Sequence, residues 1–189
     1  MRTLRLISLV VPLIVAAPLA RASADPFTRG TLEISPSLSF NRSTYTPVGG
    51  GDALSTTHID LSAGVGRFVS PRWELEGALL VQHRDESGVA RNGFGASAAA
   101  IVNSPAKGNV IPFFSVGLGG LSYSNNGQSD RTILLPILRA GFRTMIGDTR
   151  SVNVSISFQH ETNPKSPFEK SDNLFEVGVG LSMLHPKTQ

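Results

Sequence analysis

Between His58 and His83 the chain alternates apolar and polar positions through two runs joined by a tight turn. In the first run Ile59, Leu61, Ala63 and Val65 share one face, and Asp60, Ser62, Gly64 and Gly66 share the other. A period of two puts successive side chains on opposite sides of a strand, whereas a helix would repeat near 3.6. In the second run Trp73, Leu75, Leu79 and Val81 oppose Arg72, Glu74, Glu76, Ala78 and Gln82, and Pro71 marks the turn. The pattern predicts an antiparallel hairpin with one greasy side and one polar side.

The same alternation recurs along the chain. Strand one is predicted over residues 30–41, with Leu32, Ile34, Leu38 and Phe40 against Glu33, Ser35, Ser37 and Ser39. Strand four covers 94–102, strand five 110–124, and strand six 132–145, where Arg139, Gly141 and Arg143 oppose Leu138, Ala140 and Phe142. Strand seven carries Val152, Val154, Ile156 and Phe158, and strand eight sets Phe175, Val177, Val179, Leu181 and Met183 against Glu176, Gly178, Gly180 and Ser182. Long polar loops are expected over 42–57, 84–92 and 161–172, an intermediate one over 125–130, and short turns after strands two, four and six. An even strand number, connections that alternate in length, and tilted strands of about 9 to 14 residues fit a closed sheet that crosses a bilayer. Closure matters because lipid offers no partner to an unpaired backbone group. The predicted fold is therefore all-β, an eight-stranded antiparallel up-and-down transmembrane β-barrel.

Polarity alone does not separate this from a soluble periplasmic barrel. The polar faces combine Ser, Gly and Ala with several charges, which suits a narrow wet interior better than a hydrophobic core, so the apolar faces are read as meeting lipid. Phe40, Phe68, Trp73, Phe94, Phe158 and Phe175 fall near predicted strand ends, where an interfacial aromatic girdle would sit.

Residues 1–24 have the three parts of a secretory signal: basic Arg2 and Arg5, an apolar run from Leu6 to Ala20, and a small-residue site at Ala22-Ser23-Ala24. Residues 25–189 would form the barrel domain. Of 17 Lys and Arg, the leader takes Arg2, Arg5 and Arg21, so 14 remain against 14 acids and the mature chain is formally neutral. Its charge gives no footprint for nucleic acid. The chain has no cysteine, which excludes disulfide and thiol chemistry.

The segments AGVGRFVSPRWELEGALL, IPFFSVGLGGLSYS and LRAGFRTMIGDTRSVNVSISFQH resemble the strand-turn-strand blocks of the small outer-membrane β-barrel domain family, the OmpA/OmpX-like eight-stranded barrels. The resemblance covers nearly all of the mature chain. It implies a cell outer-membrane address reached through the periplasm, contact with outer-membrane lipid and lipopolysaccharide, handling by the barrel assembly machinery, and a monomer; it implies no activity. Two departures stand out. Met183 and Leu184 run into HPKTQ where such barrels end on an aromatic, and the chain corresponds to the barrel alone, without a peptidoglycan-binding domain.

Glu33, Asp60, Glu74, Glu76, Arg139, Arg143 and Glu176 all fall on the polar faces, so they are expected in the lumen. An eight-stranded barrel is only wide enough to be filled by its own side chains, and buried charges need partners, so a structural ion-pair network is expected ahead of a narrow porin-like channel. At the end of strand seven, His160 and Thr162 in FQHETNPKSPFEKSDNLFE are similar to the HxSN motif of PagL-type lipid A deacylases. That resemblance implies His160 as base, Thr162 as nucleophile and Glu176 as the acid that orients the base. Thr162 stands where the family has serine, Glu176 has the inward parity of Gly178 and Gly180, and the family's small residues between the motifs are not matched. The simpler reading makes His160 an interfacial polar residue that begins a loop. His58, His83 and His160 follow no metal-ligand spacing, and Gly49 to Gly51 leads into no phosphate-cradling motif, so no metal and no cofactor is expected. The function read from the sequence is a non-enzymatic envelope-structural or loop-mediated binding role, with lipid A ester hydrolysis and a narrow channel as alternatives.

Overall fold

A computed structural model describes residues 27–45, 54–86, 89–106, 108–125, 128–161 and 172–186. The expected leader lies outside these residues. Eight strands follow in chain order: β1 Leu32–Tyr45, β2 Leu54–Phe68, β3 Trp73–Glu86, β4 Val89–Asn103, β5 Val110–Asn125, β6 Gln128–Met145, β7 Arg150–Glu161 and β8 Asp172–His185. Each pairs antiparallel with the next and β8 pairs with β1, closing the barrel. The β1–β8 seam runs from Leu32 opposite His185 to Phe40 opposite Val177, and its pairing is interrupted at Ser35 and Pro36.

Alternation sets the two faces. Leu38, Leu61, Leu75, Leu79, Val116, Leu118, Phe142, Ile156 and Leu181 stand exposed on the outside, while Glu33, Glu74, Gln82, Arg143 and Glu176 are buried inside. Such a surface would be insoluble in water, and it matches a hydrocarbon solvent.

Several connections differ from those expected. Within the stretch expected as a loop over 42–57, Arg42 to Tyr45 pair with Leu54 to Thr57 as strand. The loop expected over 84–92 is a hairpin in which Glu86 pairs with Val89, and β5 and β6 likewise run on to the pair Asn125 and Gln128. In these extensions polar residues occupy both parities, so the polar-apolar period fades while the backbone ladder continues. The short turns are at the opposite end. In β2–β3 the Ser70 hydroxyl accepts from the Trp73 N–H at 3.1 Å, and in β6–β7 Gly147 supplies a positive φ of 77°.

Apolar side chains also occupy the lumen, at two levels. At the short-turn end Phe27, Phe68, Ile111, Met145 and Leu184 form a buried cluster, in which Phe27 stacks on Phe68 at 4.4 Å between ring centroids. Gly30, at φ 96°, turns the strap that carries Phe27 into β1, and its N–H bonds the Phe68 carbonyl at 2.7 Å. Phe68 is therefore not part of an outer girdle: it is fully buried, because its parity points it inward at the mouth. Phe40, Trp73, Phe94 and Phe175 do face outward. Farther along the lumen, Leu121, Tyr123 and Leu135 pack with Leu80 and Ile137.

Candidate functional site

Between these clusters lies a polar cavity of about 120 Å³, lined by Glu33, Asp60, Glu76, Arg139, Arg143 and Glu176 among serines from several strands. Strand parity brings these charges inside, and strand register decides which of them meet.

Arg143 on β6 is buried at 2% exposure. It forms ion pairs with Glu33 of β1 and, at 2.8 Å, with Glu74 of β3. Its guanidinium carbon lies 5.6, 6.0 and 5.3 Å from the ring centroids of Phe27, Phe68 and Phe113. Cation–π contact with three rings supplements the carboxylates in a place where water is excluded. The Ser182 hydroxyl donates to the other Glu33 oxygen at 2.6 Å. One rung deeper, Arg139 pairs with Glu76 at 3.0 Å, and Ser35 donates to the second Glu76 oxygen at 2.7 Å.

Two glycines of β2 make room for these acids. A Cβ on Gly66 would come within 1.9 Å of Glu74 Oε1, and one on Gly64 within 2.9 Å of Glu76 Oε2. A side chain at either position would displace the carboxylate it faces.

Glu176 on β8 joins neither pair. Its Oε2 accepts from Gln159 Nε2 at 2.6 Å, from Ser39 at 3.2 Å and from Ser157 at 3.3 Å. Asp60 lines the same cavity. The serine donors and Gln82 share the inward parity of the charges, and that parity is the signal that places them in the lumen. Arg84, expected in a loop, is a buried residue of β3.

His160 and Glu176 of the hydrolase alternative are not brought together. His160 lies on the outer face and its Nδ1 bonds Asn173 Oδ1 at 2.7 Å across the β7–β8 pair, whereas Glu176 faces the lumen. Thr162 lies outside the described residues. His83 makes the same outward contact, to Asn92 Oδ1 at 2.9 Å, while His58 is buried inside. Among the described residues no group of three His, Cys, Asp or Glu is placed to hold a metal ion.

A closed eight-stranded barrel with an apolar exterior and a charged, hydroxyl-rich interior is an integral membrane barrel. No family model and no curated protein matches the chain. Solved structures do. The N-terminal β-barrel domain of OprF from Pseudomonas aeruginosa is similar with a TM-score of 0.56 at 17% identity, covering 84% of this chain and 100% of that one. Neisserial surface protein A gives 0.52 at 13% identity over 82% of this chain and 96% of that one. The outer membrane protein OprG from Pseudomonas aeruginosa gives 0.51 at 10% identity over 85% and 95%. What is shared is the fold, that of the small outer-membrane barrels.

Proposed function

We propose that the protein is a non-enzymatic barrel of the outer membrane, anchored among lipid and lipopolysaccharide by its apolar belt, that contributes to envelope structure or offers its outward connections to a ligand or surface. The observation that carries this reading is a lumen occupied by the chain's own side chains. Arg143 with Glu33 and Glu74 sits against the Phe27–Phe68 stack at one level, and Leu121, Tyr123 and Leu135 occupy another. A rigid wall whose lumen is blocked at two levels works by what it displays at its rim.

Three measurements test it. Spin labels at Leu75 and Val179 should report hydrocarbon in liposomes, and an aqueous signal at both would overturn the membrane placement. The protein in planar bilayers should show no steady conductance; a sustained open level would favour the channel. Mass spectrometry of lipid A should be unchanged by overexpression. Loss of an ester-linked chain that His160→Ala abolishes would make the protein a hydrolase.

A further inference from the structure

Glu33, Glu74 and Glu76 each face a guanidinium. Glu176 does not: among the described residues its partners are the neutral side chains of Ser39, Ser157 and Gln159, and all three donate to Oε2. The residue is 2% exposed, and its Oε1 is buried with no hydrogen-bond partner. Gln82 of β3, also 2% exposed, is in the same position, with neither amide atom bonded. Both side chains line the polar cavity.

They belong to one band of the inner wall. Gln82 is registered opposite Asp60, Asp60 opposite Ser39, and Ser39 Oγ donates to Glu176. The next rung toward the short-turn end brings Ser37 and Ser62 together at 2.6 Å. The free acceptors on this band are a carboxylate oxygen, an amide carbonyl and hydroxyl lone pairs, all of them hard oxygen donors. A buried carboxylate that meets only neutral donors costs free energy that a cation would offset.

We propose that the lumen binds a small monovalent cation, an alkali ion retaining part of its water shell, at Glu176 and Gln82. Oxygen-only ligands select a hard cation. A charge of one follows from the donor set, because Glu176 offers a single open carboxylate oxygen and no grouping of three acidic or imidazole side chains exists among the described residues to hold a divalent ion. The cavity of about 120 Å³ has room for the ion and several waters.

The test is thermal melting of the protein in detergent micelles in LiCl, NaCl, KCl and choline chloride at equal ionic strength. At about ten times its dissociation constant at least one alkali chloride should raise the midpoint by about 3 °C over choline, and the midpoint should go on rising with the logarithm of its concentration. Glu176→Gln keeps the size of the side chain but not its charge; it should abolish the difference and melt in choline at or above the wild-type midpoint. Gln82→Met should weaken the alkali response, and it decides the matter if the first variant does not fold. Line broadening of the sodium-23 resonance by wild-type protein, reversed by excess potassium, is expected alongside. Equal melting of the wild type in all four salts overturns the site, as does an alkali response that Glu176→Gln, or in its absence Gln82→Met, retains in full.

Discussion

Arg143 and Arg139 stand four residues apart on β6 and project into the same lumen, yet their surroundings differ. Arg143 holds two carboxylates and lies against three aromatic rings beside the closed mouth. Arg139 holds one carboxylate, lies near one ring and keeps 25% of its side chain exposed to the cavity. The difference teaches that height along the barrel, and not residue type or parity, sets what a lumen charge is worth. Where water is excluded, losing one partner strands the others; where water reaches, it replaces much of what is lost.

The largest effect is expected from Arg143→Met, which leaves Glu33 and Glu74 buried without a cation. Denaturant unfolding in micelles should show a loss of about 3–5 kcal/mol, and replacing both acids with glutamine in the same chain should recover much of it. Phe27→Ala removes one half of the stack over the mouth and should cost about 3 kcal/mol, the lower end for a buried phenylalanine because the strap is able to settle into the gap. Gly66→Ala drives a methyl group into Glu74 and should cost about 1–3 kcal/mol. Its effect should shrink in the Arg143→Met background, since the two changes damage one interaction. Arg139→Ala should cost about 1 kcal/mol or less, and less still in high salt. A loss at Arg139 equal to that at Arg143 would break the comparison.

Most of the wall was legible in the sequence. Leu61 against Ser62 or Leu75 against Glu74 needs only parity, and parity is local. Height is not local, and neither is the partner a side chain finds. Phe68 sits at a strand end like Trp73 and has the inward parity of Asp60 and Gly66, but what buries it is Phe27, a partner from a strap that has no period. The hairpin through Glu86 and Val89 gave no signal because Arg84 to Asn92 have no alternation of polar and apolar residues. For the site, inward parity placed the seven charges in the lumen, but which acid meets which arginine depends on register and shear around the closed sheet. Glu176, five strands from β3 along the chain but three across the seam, shows this: its contacts come from β1 and β7.

Pro36 sits where β1 meets β8, at the interruption of that ladder. Before the hoop shuts, β1 is a free margin of an unfinished sheet, and a residue without an N–H breaks the row of donors that a stray chain would copy. A proline at this joint thus disfavours docking by a foreign strand where the chain's own final strand must seal the sheet.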